Sequence, residues 1–473
     1  MKKTLAFLLL LAIIIMPANA VEKENVKPVK NVILLIPDGT SLATISIARW
    51  LQWYQDPSKP KLNIDPYLCG TVRTHSSNAP IGDSAPTTSC YMTGQPSRTG
   101  YVSTYPENDG DNDIYPTDPA RAFQPLTTVL EAGKMLQGKA TGLVFTCEFP
   151  HATPADCSAH SYNRGKYDWI APQMVHNDIN VVIGGGVSIL TKDMEDYLLA
   201  NGYGVYRNDL KGMRADNNQK MWALYGNKEM AYDIDRNPEE QPSIEEMTRK
   251  AIDKLSKNPN GFFLMVEGGK IDWACHGNDA ATVFNEVKDM DDAIKVAYEF
   301  YKKHPKETLI VVTADHETGG IVLGTGKYAL NLKALQYQKH SADGLSKRIS
   351  ELRKAKSNKV TWEDMKEFLG EEMGFWKQFP ISWEQEKKLR DEFEQSFVRN
   401  KVVFAESMYS KSEPMAARAK EVMDQISMVG WVSGGHSAGY VPVFAIGAGS
   451  QLFGEKIDNT EIPKRIAKAA GYK

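Results

Sequence analysis

Apolar runs of strand length recur along the chain and are separated by segments with helical periodicity. The runs cover residues 31–36, 139–146, 180–183, 261–267, 308–313 and 441–447. Because they are apolar at successive positions rather than alternate ones, they predict strands that are buried on both faces of a parallel sheet. Amphipathic patterns at 243–256 and 280–301 predict helices that cover this sheet. The alternation indicates an α/β fold.

The segment from about 327 to 428, called the insert segment below, has a different pattern. It is rich in Lys, Glu, Gln and Met and lacks buried-strand runs. Three stretches, 342–355, 361–372 and 382–400, predict amphipathic helices, with Thr361 and Ser382 as N-caps. A strand run precedes the segment and another follows it. We therefore expect one domain, residues 21–473, that is interrupted by a helical insertion.

Composition and charge restrict the class of protein. The chain has 473 residues, 42% apolar and 24% charged, with a formal net charge of −3. These values are typical of a globular protein, and they give no basic surface for nucleic acid. Lys2 and Lys3, the apolar run 5–16 and the sequence Ala18-Asn19-Ala20 predict a signal peptide at 1–20. No later run predicts a membrane anchor, so we expect a periplasmic or secreted protein.

Five cysteines leave the disulfide pattern open. They are Cys69, Cys90, Cys147, Cys157 and Cys275. An exported protein can form disulfides, but the odd count leaves at least one thiol free, and the sequence does not select a pairing. The chain has no CxxC, so we do not expect a cysteine-based zinc site.

Carboxylates and imidazoles follow the predicted strands, where open parallel sheets bind their ligands. Asp38 follows the first run, and Asp315 and His316 follow the run 308–313. His436 comes shortly before the last run. Glu267 ends the run 261–267, Asp272 and His276 follow it, and His151 and Thr153 follow 139–146. Each residue alone is more often a cap, a turn former or a structural histidine.

The collection as a whole points to bound cations, because carboxylates converge at low cost only around positive charge. Three Asp and three His are mixed nitrogen and oxygen ligands that suit Zn²⁺. A further carboxylate and a hydroxyl, Glu267 and Thr153, suit a harder ion such as Mg²⁺.

Two further residues could handle a phosphate group. Ser84 lies at a predicted helix start in GDSAPTTS, where it is either an N-cap or a nucleophile beside a cation. Arg164 ends the run HATPADCSAHSYNR, and its guanidinium could bind two phosphate oxygens, although an arginine there could equally be a surface residue.

The chain resembles the alkaline phosphatase family. The resemblance rests on six blocks in family order: NVILLIPDG, GDSAPTTS, HATPADCSAHSYNR, VEGGKIDWACH, VVTADHETGG and GGHSAGYVPVFAIG. It covers nearly all of the chain from residue 21 except the insert segment. It implies a three-layer α/β/α sandwich around a large, mostly parallel central sheet, with the insertion near the active-site mouth.

The resemblance also implies roles for individual residues. Ser84 would be the nucleophile and Arg164 the phosphate clamp. The first of two Zn²⁺ would be held by Asp272, His276 and His436, and the second by Asp38, Asp315 and His316. One Mg²⁺ would be held by Asp38, Thr153 and Glu267.

His151 and Trp273 stand where the family varies. We expect His151 to act beside the magnesium ligands without binding the metal itself, and Trp273 to form a wall of the pocket.

The function implied is the hydrolysis of small phosphate monoesters through a phosphoserine on Ser84. The alternative is a phosphodiesterase or sulfatase of the same superfold. A homodimer is expected from the family.

Overall fold

The structure is a computed structural model, and it describes residues 28–110, 113–326 and 328–472. The predicted signal peptide at 1–20 lies outside these ranges and stays a prediction.

Strands within the described ranges are β1 (Asn31–Ile36), β2 (Leu68–Arg73), β3 (Ala140–Glu148), β4 (Val181–Gly185), β5 (Tyr203–Arg207), β6 (Lys220–Tyr225), β7 (Phe262–Glu267), β8 (Thr308–Thr313), β9 (Glu317–Thr318), β10 (Val322–Leu323), β11 (Ala405–Glu406), β12 (Lys411–Ser412), β13 (Val429–Gly430), β14 (His436–Ser437), β15 (Tyr440–Gly447) and β16 (Glu455–Asp458). Six of them, β1, β3, β4, β7, β8 and β15, correspond to the six predicted runs.

Ten strands form one sheet in the order β16-β2-β15-β8-β1-β7-β3-β4-β6-β5. The register at its centre pairs Val32 of β1 with Phe263 of β7 and with Leu309 of β8. Both pairings are parallel, and the residues of β1, β7 and β8 are buried throughout. The mostly parallel sheet is therefore confirmed.

Strand β15 runs antiparallel to both of its neighbours, β8 and β2. Its apolar run alone indicated a parallel strand. The chain leaves β8 and returns through the short pair β9 and β14, in which His436 lies opposite Thr318. The chain therefore enters β15 at the edge of the sheet where β8 ended. A strand parallel to β8 would need a crossover to the opposite edge first, so β15 runs antiparallel to β8.

Helices in the same ranges are α1 (Leu42–Gln55), α2 (Ser84–Thr93), α3 (Val129–Gln137), α4 (Ala152–Ala155), α5 (Tyr167–His176), α6 (Lys192–Ala200), α7 (Leu210–Ala215), α8 (Ile244–Leu255), α9 (Gly269–His276), α10 (Ala280–Lys303), α11 (Ala342–Ala355), α12 (Trp362–Glu372), α13 (Trp383–Phe393), α14 (Pro414–Ser427) and α15 (Ile462–Ala470).

The helices around the sheet form two contact groups. Helices α1, α8 and α9 pack on the long helix α10, whereas α2, α3 and α15 pack on one another. Both groups also contact the central strands, through α8 and α10 in the first group and α3 and α15 in the second. These two groups and the sheet form the three layers of the expected sandwich. No helix of the described residues is both long and apolar enough to span a bilayer.

The insert segment is helical, as its pattern predicts. Helix α11 has the predicted bounds, and Thr361 and Ser382 form capping boxes at the starts of α12 and α13. The carboxylate of Asp279, which caps α10, accepts hydrogen bonds from Gln338 Nε2 and from the backbone N–H of Ala342, both at 2.9 Å. These bonds fix the start of the segment to the helical layer that contains α10.

All five cysteines lie in the described ranges, and all five are free thiols. No pair of them is joined, so the disulfide pattern that the sequence left open contains no disulfide. Cys69 is exposed, and the other four are buried.

Candidate metal and phosphate site

The first predicted ligand group comes from α9 and β14. Asp272 and His276 lie one helical turn apart on α9, and His276 Nε2 is 3.3 Å from the Asp272 carboxylate. His436 on β14 brings its Nε2 to 3.0 Å from His276 Nε2 and 3.6 Å from Asp272. The three side chains therefore surround one point, although His436 is far from the others in sequence.

The second ligand group lies at the ends of two adjacent strands. Asp38 follows β1, and Asp315 and His316 follow β8. His316 Nε2 is 3.4 Å from the Asp38 carboxylate and 3.5 Å from that of Asp315. All three side chains are fully buried. The carboxyl ends of neighbouring parallel strands thus supply this group directly, as the sequence predicted.

A glycine permits the close approach of the two groups. Gly39 has φ +65°, and a Cβ there would lie 2.6 Å from Asp272 Oδ1 and 2.7 Å from Thr318 Oγ1. Any other residue would force the loop after β1 away from Asp272.

Hydrogen bonds orient the three imidazole rings. His276 Nδ1 donates to the carbonyl of Gly434 at 2.6 Å, and His436 Nδ1 donates to that of Gly82 at 2.9 Å. His316 Nδ1 is 3.2 Å from Thr318 Oγ1, which itself donates to Asp272. Each Nδ1 is thereby occupied, which leaves Nε2 as the unprotonated nitrogen that faces the ligand group.

The carboxylates show why this region needs cations. Burial, together with the charges of Asp315 and Asp272, raises the pKa of Asp38 well above its usual range. Both oxygens of Asp38 and one oxygen each of Asp272 and Asp315 are buried without a hydrogen-bond partner. Buried acceptors without partners are costly, and metal ions satisfy them. The residues present therefore fit two metal ions with mixed nitrogen and oxygen ligands.

Ser84 lies beside the second group. It is the first residue of α2 rather than its N-cap, which is Asp83, so the N-cap interpretation of Ser84 is wrong. Its hydroxyl is free of any capping role and lies 3.2 Å from His316 Nε2. The serine therefore places an oxygen next to the metal ligands at a helix N-terminus, where an anion is stabilised.

Arg164 contacts the residue that precedes Ser84. Its Nη1 donates to Asp83 at 2.6 Å and its Nη2 to His151 Nε2 at 3.0 Å. Burial alone would lower the pKa of Arg164, but the charge of Asp83 raises it, so the guanidinium stays charged. About a fifth of the side chain, 22%, remains exposed to receive a ligand.

A third donor group adjoins the second and contains a residue that the sequence analysis overlooked. Glu267 ends β7, and His151 and Thr153 lie at the start of α4. Cys147 on β3 joins them, and its thiol donates to Glu267 at 3.0 Å. Burial raises the pKa of Glu267 to about 8, and burial and then Arg164 lower the pKa of His151 to about 3. In the sequence, the only sign that Cys147 belongs to this group was its position six residues before Thr153.

A second overlooked residue packs on Trp273. Trp273 is buried, and its ring stacks on Tyr409 with centroids 4.5 Å apart and planes within 9°. Tyr409 also meets the edges of His151 and His276 at 5.9 Å and 5.4 Å. It belongs to the turn between β11 and β12 in the insert segment, where nothing in the sequence distinguishes it from a surface tyrosine.

The site combines buried Asp and His ligand groups with a serine and an arginine beside them. This combination at the carboxyl edge of a parallel sheet is typical of metal-dependent hydrolases. Residues 29–472 match the family model described as alkaline phosphatase. The chain is 34% identical to alkaline phosphatase 3 of Bacillus subtilis (strain 168) over 484 residues, which cover 96% of this chain and 92% of that protein. The chain belongs to the alkaline phosphatase family.

Solved structures agree with this assignment. The cold-active alkaline phosphatase of a psychrophilic Shewanella species is similar with a TM-score of 0.78 and 27% identity, covering 93% of this chain and 99% of that one. The alkaline phosphatase of Thermus thermophilus shares the fold with a TM-score of 0.74 at 23% identity, covering 94% of this chain and 92% of that one. The protein is thus a phosphoric monoester hydrolase, and the resemblance seen in the sequence is confirmed.

Proposed function

We propose that this enzyme hydrolyses small phosphate monoesters through a phosphoserine intermediate on Ser84. One observation carries the proposal: the Ser84 hydroxyl lies 3.2 Å from His316, beside two groups of buried Asp and His ligands whose oxygens lack partners. A hydroxyl in that position can attack phosphorus. A serine that only capped a helix would have no need of metal-ligating Asp and His side chains beside it.

Two zinc ions fit the two groups. Asp272, His276 and His436 would hold the first zinc, and Asp38, Asp315 and His316 the second. When bound, paired metal ions supply positive charge to the attacking and leaving oxygens of an in-line displacement. The family's third ion, magnesium, would be held by Thr153 and Glu267 with Asp38. Cys147 and His151 add sulfur and nitrogen there, and magnesium does not favour these donors.

The residues of the chain carry the rest of the mechanism. Ser84 Oγ loses its proton and forms a bond to phosphorus as the bond between phosphorus and the alcohol oxygen breaks, and the leaving oxygen takes up a proton from water. Water then cleaves the phosphoserine, which releases inorganic phosphate and restores the hydroxyl. Arg164 binds two phosphate oxygens through its guanidinium and is held in orientation by Asp83.

The insert segment would act as a lid beside the site. Tyr409 supports this role, because it is half-buried on Trp273 and lies against two of the histidines. A larger leaving group would have to pass this stacked pair. The same segment could also contact a second copy, which fits the homodimer expected from the family. Residues 1–20 support export to the periplasm or beyond.

Hydrolysis of a monoester and a diester of p-nitrophenol, each with and without a chelator, tests the function. We expect the monoester to be cleaved at least about a hundredfold faster, and this activity to be lost with chelator and restored by Zn²⁺. Faster cleavage of the diester, or monoester cleavage that survives the chelator with no metal bound, would overturn the proposal.

A further inference from the structure

Cys147 is placed unlike the other cysteines. It is fully buried on β3, and its thiol donates to Glu267 Oε2 at 3.0 Å. Among the five cysteines, all of which lie in the described ranges, Cys147 alone contacts a carboxylate found there. Cys157, for comparison, has only the backbone carbonyl of Thr153 at 3.6 Å. A buried thiol that merely fills space has no need of an acidic partner.

Other unpartnered donors converge on the same point. One ligand atom each from Cys147, His151 and Glu267 lies within 4.8 Å of the others. Glu267 Oε1, His151 Nδ1 and Thr153 Oγ1 are all buried and have no hydrogen-bond partner. The three residues are at most 2% exposed. These orphaned atoms are independent of the thiol, and they indicate a missing ligand at this place.

The donor set selects a type of ion. Magnesium prefers an octahedron of oxygens and keeps several waters, whereas thiolate and imidazole are ligands of zinc and similar borderline ions. Building on the proposed function, we propose that the third site of this enzyme binds Zn²⁺ rather than Mg²⁺, with the Cys147 thiolate as a ligand beside Glu267 and His151.

Binding at this site would also affect Arg164. Its guanidinium can only donate, so His151 Nε2 accepts from it and Nδ1 carries the ring proton. A metal on Nδ1 would transfer that proton to Nε2 and end the contact. Arg164 would then keep Asp83 as its partner and have its second amino group free for phosphate.

Cobalt replacement of the bound metal gives a direct readout, because Co²⁺ bound to thiolate absorbs in the near ultraviolet. The apoenzyme is titrated with Co²⁺ to saturation, as wild type, Cys147→Ala, Cys147→Ser and the control Cys90→Ala. Cys90 is a free thiol that is equally buried but lies in α2. Visible cobalt absorption and recovery of phosphatase activity both report on the two Asp and His groups. They are independent of the near-ultraviolet thiolate band.

We expect the near-ultraviolet band in the wild type and in Cys90→Ala, and its loss in both Cys147 variants. The zinc content should fall by one ion per chain in Cys147→Ala, with affinity at that site at least about tenfold weaker. A wild type without the band, or a third zinc that excess Mg²⁺ displaces, would overturn this proposal while leaving the proposed function intact. A thiolate band in the cobalt-loaded enzyme, together with no phosphatase activity in the zinc-loaded enzyme, would support the site and overturn the proposed function.

Discussion

The imidazole rings of His316 and His436 stack with their centroids 3.8 Å apart, although the whole insert segment lies between them in sequence. His316 belongs to one ligand group and His436 to the other. The contact therefore holds the two groups at a fixed separation, and it depends on the antiparallel return of the chain through β9 and β14.

Removing one imidazole should remove one metal ion. In His436→Ala the first group keeps only Asp272 and His276, too few ligands for tight zinc binding. We expect one zinc ion fewer per chain than in the wild type, measured by elemental analysis of protein purified without chelator. His176→Ala removes an exposed imidazole outside the site and should leave the zinc content unchanged. Equal zinc in His436→Ala and wild type would contradict the assignment.

The nucleophile can be separated from the metal ligands. Ser84→Ala should lower monoesterase activity at least about a thousandfold, because no hydroxyl remains to form the intermediate. Zinc content should stay at the wild-type level, since Ser84 is not one of the six ligands. Thr88→Ala, a change of one buried hydroxyl in the same helix, is the control and should keep its activity. A Ser84→Ala enzyme that is nearly as active as wild type would exclude the mechanism.

Tyr409 tests the role of the insert segment. Tyr409→Ala removes the stacked partner of Trp273 and widens the entrance, so the rate ratio of bulky to small aryl phosphates should rise about two- to tenfold. Tyr409→Phe keeps the stack and should keep the wild-type ratio. If the alanine variant has an unchanged ratio in steady-state kinetics, this turn does not gate the substrate.

The pair of His160 and Glu131 should contribute to stability over a limited pH range. His160 Nε2 lies 3.5 Å from Glu131. Burial would lower the pKa of His160, but the hydrogen bond to Glu131 raises it above 6.5. Burial would raise the pKa of Glu131, but the hydrogen bonds from His160 and Thr128 lower it below 4.5.

The histidine's contribution is complete below pH 6.5 and is lost as the pH rises through its raised pKa. The contribution of Glu131 to stability is complete above pH 4.5 and is lost as the pH falls through its lowered pKa. His160→Asn, which keeps a donor near the carbonyl of Ser103, should therefore cost about 0.5–1 kcal/mol of unfolding free energy at about pH 5.5 and less at about pH 8.5. Denaturant unfolding at the two pH values measures this, and an equal cost at both would contradict the ion pair.

The sequence predicted those parts of the fold that local pattern determines. The runs of β1 and β8 and the periodicity of α11 have the bounds found in the structure, because each buries a continuous apolar face. Four strands of the sheet, β2, β5, β6 and β16, were missed. Strands β2, β5 and β16 are partly exposed and carry no buried-strand pattern, whereas β6 is buried over most of its length and its apolar run was overlooked.

In the site, too, the sequence predicted the residues that a local pattern places and missed those that only tertiary packing brings in. Asp38 and Asp315 follow buried strands and Glu267 ends one, so the carboxyl edge of the sheet predicts that they lie close together. Cys147 gave only one weak sign, its spacing from Thr153, and Tyr409 gave none. The first is one of several apolar-looking residues of β3, and the second reaches the pocket only through the packing of the insert segment, a tertiary contact that no local pattern encodes.

Trapping the covalent intermediate is the most direct test of the account. The zinc-loaded enzyme is mixed with a phosphate monoester, quenched in acid during turnover, digested and analysed by mass spectrometry. The account predicts one phosphorylated peptide, modified at Ser84, that is absent from Ser84→Ala. A wild-type enzyme that turns over substrate without any phosphopeptide, or with the phosphate on another residue, would contradict it.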